Sequence, residues 1–304
     1  MPHRTNHASE GGAIRIADVS DDAGYAAHES ASLETTERIT SHSHGDIIIK
    51  MHLVPVGVAS DKIRRAIARA YRPRVVEQRN AVGTLSVCFD DFPRTAWTEG
   101  GRILRDHGVR GTFYVCGRLC ETTWDGQAMF TVDDIQAIHA EGHELACQTF
   151  QHISCLRAGR SELESSVRTN QAFVREHVGD VKLRSFAYPY GDASVTSKRF
   201  LVRRFDSVRG VDAGVNTGTF DIGQLKAVGL EVGKRPFEDV EEWVMRAAAR
   251  RAWIVVYTHD VQPSPSHYGC RPEDLDRLLR VAKAAGLRIL PVDSALQAVT
   301  SEGP

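Results

Sequence analysis

The sequence has no C-x-x-C pair among its six cysteines, no run near the ~20 apolar residues that span a bilayer, and almost no net charge. Each shortage excludes something. With a formal charge of −1, from 38 Lys+Arg against 39 Asp+Glu, an overall electrostatic grip on nucleic acid is not expected. The amino terminus, MPHRTNHASEGGAIRIADVSDD, lacks the apolar stretch of a signal peptide. Scattered cysteines and no secretion signal point to buried or idle thiols, not a disulfide framework, and to a cytoplasmic location. A hydrophobic content of 42% with 25% charged residues excludes wholesale disorder and collagen-like repeats. At 304 residues, one large or two small domains fit.

Charge is distributed unevenly. Residues 1–46 carry eight carboxylates against three arginines, net −5, with few large apolar side chains; they read as a polar, flexible segment. Residues 47–80 reverse the sign, with eight bases against Asp61 and Glu77, net +6, and read as a basic helical connector. Within it Asp61 is placed to cap a helix running through Tyr71, with Ile63, Ile67 and Tyr71 on one face and Pro73 as its stop. That helix either packs on the main domain or lies, through residues 61–74, on an anionic membrane surface.

From residue 81 onward the texture is that of one domain. TLSVCFDD (84–91), GTFYVCG (111–117), HELACQT (143–149), SFAYPYG (185–191), WIVVYTHD (253–260) and LRILPV (287–292) read as buried strands. Helical patterns fall near 97–107, 131–141, 160–178, 194–204, 238–251 and 272–286, with start signals at Thr131 and at Ser161 with Glu164. Such alternation predicts a parallel sheet with helices outside, either a barrel or a doubly wound sheet, with chemistry at the carboxyl ends of the strands. Those ends carry Asp90, Asp91, Gln148, His152, Tyr190, His259 and Asp260. Singly, an Asp there is often a helix cap and a His a satisfied buried group; together they are far more specific. Adjacent carboxylates on opposite sides of a strand end allow one to bind metal while the other acts as a base.

These motifs resemble those of the NodB-homology polysaccharide deacetylases, the family-4 carbohydrate esterases. CFDDF (88–92), QTFQH (148–152), AYPYG (187–191) and YTHDV (257–261) match four of the family's local motifs in order and interval, over about residues 84–300. The resemblance implies a distorted (β/α) barrel of the polysaccharide deacetylase type with an N-terminal extension. It further implies removal of acetyl groups from N- or O-acetylated sugars, glycan precursors or lipid-linked saccharides with a divalent metal, commonly zinc. By position, Asp90 is the general base, Asp91 and His152 are metal ligands, the backbone N–H of Tyr190 binds the oxyanion, and His259 is the general acid. The roles are chemically coherent, since amide hydrolysis needs an activated water, a polarised carbonyl and a proton for the leaving amine.

The chain departs from the family pattern in three places. Gln148 stands where a metal-binding histidine is usual, and an amide oxygen is a weaker zinc ligand than imidazole. A loosely held zinc, a harder metal, another ligand and metal-free chemistry all stay open, as do hydrolysis of a non-sugar C–N bond and a catalytically weakened, glycan-binding member. Ala187 replaces the arginine that opens the third motif, with Arg209 a stand-in. The fourth motif is not evident, leaving Asp212, Asp221 and Asp260 as candidates to orient His259. Cys147 and Cys155 are further candidate ligands, otherwise small buried hydrophobes. SHSHGD (41–46) reads as a solvated tail. Trp97 and Trp124 line a sugar site or pack in the core. The segment 263–270 is expected as a loop at the mouth.

Overall fold

The computed structural model describes residues 56–301, with side chains from residue 60. The acidic 1–46 segment and its SHSHGD run therefore lie outside the described residues. In chain order the elements are α1 (Val56–Ala70), β1 (Val75–Glu77), β2 (Thr84–Asp90), α2 (Arg102–Asp106), β3 (Thr112–Val115), β4 (Thr123–Trp124), β5 (Gln127–Ala128), α3 (Val132–Ala140), β6 (Glu144–Cys147) and α4 (Arg160–Val178). There follow β7 (Ser185–Ala187), α5 (Val195–Leu201), β8 (Ser207–Arg209), β9 (Thr219–Asp221), β10 (Val228–Gly229), α6 (Phe237–Arg250), β11 (Trp253–Thr258), α7 (Pro272–Ala284), β12 (Arg288–Ile289) and α8 (Val292–Thr300). The main sheet is parallel and runs β10-β11-β2-β3-β6-β7-β8, with β12 joining β2. It curls into an incompletely closed barrel, the fold the resemblance implied; a single bridge from Arg209 to Leu225 reaches across beyond β8.

Period-2 alternation explains how one short strand serves two layers. All seven residues of β2 are buried. Leu85, Val87 and Phe89 face the helices, in a cluster with Phe113, Leu145, Ile254 and Leu278. Cys88 faces the barrel interior with Tyr114, Ala146, Ala187, Trp253 and Tyr257, where the Trp253 indole N–H donates to Ser86 Oγ at 2.9 Å. Asp90 continues this inward series, 84–86–88–90, and so arrives at the mouth of the barrel. At the other end Glu144 is buried, its Oε2 accepting from Thr112 Oγ1 (2.8 Å) and the Asp293 N–H (3.0 Å) while Oε1 has no partner. Burial, with the Asp293 charge second, pushes its carboxyl up to about 7.

Several local expectations need correction. The first helix starts at Val56, so Asp61 is not its cap; it sits inside the helix and accepts from Arg157 at 2.8 Å. Its apolar positions also point the other way. Ile63 and Ile67 are 60% and 54% exposed, and α1 seats itself through Ala68, Asp61 and Arg65, the last paired with Asp192 at 2.8 Å. Lys198, fully buried, clamps the helix end by donating to Ala68 O (2.9 Å), Tyr71 O (2.5 Å) and Asp221 Oδ2 (2.8 Å). Thr131 does cap α3, in a reciprocal box with Asp134. Ser161 does not cap α4: the chain enters at Gly159, whose N–H donates to Glu162. Among the described residues no helix is long and apolar enough to cross a membrane.

Candidate active site

Four backbone turns build the mouth. Seven non-glycine residues among those described have left-handed φ, and four of them are here: Asp91 (50°), Thr149 (65°), His152 (54°) and Tyr190 (59°). Each such residue costs on the order of 1 kcal/mol, which the surrounding packing must offset. The turn at Asp91 has a direct consequence. Instead of pointing to the far side of the strand from Asp90, its carboxylate is turned over the barrel mouth toward β6, correcting the expectation of opposite sides.

Asp90, 4% exposed, is held by Arg209, 1% exposed, at the end of β8. The guanidinium Nη2 donates to both carboxylate oxygens, at 2.5 and 2.6 Å. Its plane is flanked by Tyr114 and Tyr257, with ring centroids 4.8 and 4.9 Å from Cζ. Arg209, named from the sequence as a stand-in, thus supplies the counter-charge to Asp90 from the end of β8.

Asp91 Oδ1 lies 3.2 Å from His152 Nε2. The two lack hydrogen-bond geometry, so Oδ1 is buried with no hydrogen-bond partner. Burial pushes the Asp91 carboxyl up to about 7 and lowers His152 to about 4. His152 Nδ1 is 3.0 Å from the Tyr190 hydroxyl, and the two rings meet edge to face. The spacing of Asp91 and His152 suits two ligands of one ion, since donors ~2.1 Å from a tetrahedral centre stand roughly 3.4 Å apart. The third expected ligand does not fit. Gln148 turns its oxygen to the Asp91 N–H (3.2 Å) and its nitrogen to His152 Nε2 (3.4 Å). Among the described residues no group of three or more His, Cys, Asp or Glu is placed to hold a metal. Cys147 cannot complete the set: it faces the helix layer, takes a hydrogen bond from Asn170 Nδ2 at 3.3 Å, and burial pushes its thiol up to about 11. Cys155 is likewise buried and its thiol raised.

His259, at the end of β11, is held by the 263–270 loop, which folds back over it. Its backbone N–H donates to Tyr268 O at 3.3 Å, and its Nδ1 is 3.3 Å from the same oxygen. A carbonyl only accepts, so Nδ1 carries the hydrogen in that contact and Nε2 is left to face the mouth. The carboxylate beside it is none of the three expected. Asp260 binds Ser266 and Gln262, Asp221 binds Lys198, and Asp212 pairs with Arg69. Glu231 is the neighbour, its fully buried Oε1 3.9 Å from His259 Nδ1 and 3.0 Å from Lys234 Nζ. Gly229 makes room for it, because a Cβ there would stand 2.0 Å from Glu231 Oε2. The sequence signal for Glu231 is a carboxylate closing the AVGL run (227–230), but a two-residue strand is too short to read as one.

Trp97 belongs to the core, edge-on to Phe113 and His143. Trp124 is 36% exposed on the β4–β5 hairpin with Arg118 over its ring. A groove of about 350 Å³ lies between that hairpin and the mouth, lined by Arg94, Thr95, Thr98, Gln127 and Gln262.

Comparison with known proteins agrees with the motifs. Residues 77–204 match the family model described as polysaccharide deacetylase. A chitooligosaccharide deacetylase from Sinorhizobium fredii (strain NBRC 101917 / NGR234) is 30% identical over 116 residues, 37% of this chain and 50% of that protein. The chain thus spans about half the length of the curated relative it matches. A family 4 acetyl xylan esterase from Clostridium thermocellum, solved with a cobalt ion, superposes with a TM-score of 0.51 at 20% identity, covering 70% of this chain and 90% of that one. A family 4 pseudoenzyme from Bacillus anthracis superposes at 0.52 and 16% identity, covering 73% and 68%. At these identities the structural likeness shows the fold. The resemblance read from the sequence thus recurs in both comparisons: residues 77–204 are similar to the polysaccharide deacetylases, and the fold is theirs.

Proposed function

We propose that this protein is a hydrolase that removes acetyl groups from an N-acetylated saccharide. The observation that carries the reading is the buried Asp90–Arg209 pair opening onto a mouth that also holds Asp91, His152 and His259. Arg209 donates to both Asp90 oxygens and aims the carboxylate, so that one oxygen can take a proton from an attacking water. His259, with Nδ1 turned to Tyr268, presents Nε2 to protonate the departing amine, and Glu231 fixes the ring from behind. The backbone N–H of Tyr190 is the donor assigned to the developing oxyanion. Asp91 and His152 are the residues that a divalent metal would meet, but with Gln148 as it stands no step is derived through one.

A sugar substrate is supported by the S. fredii relative, a chitooligosaccharide deacetylase, and by the polar groove beside the mouth. Arg94 in that groove is neutralised by Asp134 at 3.2 Å, which leaves amides and hydroxyls to meet an uncharged saccharide. The test is acetate release from N-acetylated chito-oligosaccharides, comparing the wild type with Asp90→Asn. The reading expects release that falls about 10²-fold in the variant. Equal release from both would remove Asp90 as the base.

A further inference from the structure

We infer that the Gln148 amide is not a metal ligand but a neutral bridge that closes the Asp91–His152 pair and competes with a cation for it. The inference rests on the hydrogen-bond orientation of one side chain, not on the catalytic reading. A backbone N–H can only donate, so the Gln148 atom facing the Asp91 N–H at 3.2 Å is the oxygen. That fixes the other end: the amide nitrogen faces His152 Nε2 at 3.4 Å. An amide nitrogen has hydrogens to give and no lone pair to offer a metal. For His152 Nε2 to accept, the imidazole hydrogen must sit on Nδ1, where the Tyr190 hydroxyl at 3.0 Å receives it. One chain of donors and acceptors then runs from the Asp91 backbone through Gln148 and His152 to Tyr190, all of it uncharged.

This arrangement uses the Nε2 lone pair that an ion shared with Asp91 would need. To admit the ion, the amide nitrogen must withdraw. Rotating the amide to offer its oxygen instead sets the NH2 against the Asp91 N–H, donor against donor, and forfeits that hydrogen bond. Position 148 therefore opposes binding in either orientation, whereas an imidazole there could contribute a ligand. The expected consequence is a site that binds zinc or cobalt weakly and improves when the amide is removed, even though nothing is put in its place.

The experiment is zinc and cobalt titration of the full-length protein, by calorimetry and by competition with a chromophoric chelator, in the wild type, Gln148→Ala and Gln148→His. The readout is metal affinity, so failure of this inference and failure of the hydrolase reading are distinguishable. Gln148→Ala is expected to bind zinc about fivefold more tightly than wild type, the worth of one hydrogen bond. Gln148→His is expected to gain tenfold or more. Nitrogen NMR on the metal-free wild type should show His152 protonated at Nδ1. Equal or weaker binding by Gln148→Ala would make the amide no competitor and overturn the inference. So would wild type that purifies with one tightly held zinc, or His152 protonated at Nε2. Should Gln148→His fail to fold, Gln148→Ala and the tautomer measurement still decide.

Discussion

Arg209→Met removes a cation from the barrel interior without shortening the side chain much, and its consequence follows from burial. Asp90 is 4% exposed and both its oxygens are held by Arg209 Nη2. Deleting one partner of such a pair typically costs about 3–5 kcal/mol, because the remaining charge stays buried and uncompensated. The guanidinium also lies between Tyr114 and Tyr257, and those ring contacts add roughly 1 kcal/mol or more. For a domain of this size, about 2–4 °C accompanies each kcal/mol, so melting should fall by roughly 10 °C. Asp90, left without the donor that aims both its oxygens, loses its orientation, and acetate release should drop with it. The decisive assay is a double-mutant cycle by thermal and urea unfolding. Asp90→Asn with Arg209→Met removes both charges, and the double variant should recover about 2 kcal/mol relative to the sum of the singles. A loss below about 1 kcal/mol in Arg209→Met, or strictly additive singles, would show that the pair does not organise the mouth.

Three further outcomes are expected. Asp90→Asn, which keeps one acceptor oxygen for Arg209, and His259→Gln should each lower kcat about 10²-fold or more with little change in KM, measured by acetate release. Glu231→Gln should lower kcat roughly 10-fold while KM holds, since Glu231 stands beside His259 and acts through the orientation of its ring. Glu144, far from the mouth, has a folded carboxyl raised from 4.5 to about 7, so its contribution to stability is full below pH 4.5 and is lost as pH rises through 7. Glu144→Gln should therefore gain on wild type by on the order of 1 kcal/mol between pH 6 and pH 8, read from unfolding at both pH values. A constant difference across that interval would show that Glu144 does not titrate there.

Much of this architecture is legible from residue order, because a parallel barrel places its chemistry where apolar runs end. FDD after SVC, HD after VVYT and YPYG after SFA mark strand ends by a change from β-branched or small apolar residues to acids, imidazoles and turns. Helices with strong patterns, such as 160–178, emerge with the expected bounds. The parts that stay hidden are those set by long-range partners. Arg209, which the sequence offers only as a stand-in, closes a three-residue strand, and its position across the barrel makes it the partner of Asp90. Glu231 is invisible for the same reason. The apolar positions of α1 misled because ion pairs to Asp192 and Arg157, not Ile63 and Ile67, seat that helix. Left-handed φ at Asp91 has no glycine or asparagine to announce it, so the convergence of two adjacent carboxylates on one mouth is a product of the fold.

The most direct test of the central claim is product analysis with the full-length protein and a defined N-acetylated oligosaccharide, in parallel with an O-acetylated one. Mass spectrometry and amine labelling would follow each saccharide while released acetate is counted. The account predicts free amine and acetate in equal amounts from the N-acetylated chain, lost together in Asp90→Asn. Acetate without amine, or an N-acetylated chain left intact by the wild type with zinc, cobalt, manganese or magnesium supplied, would contradict it.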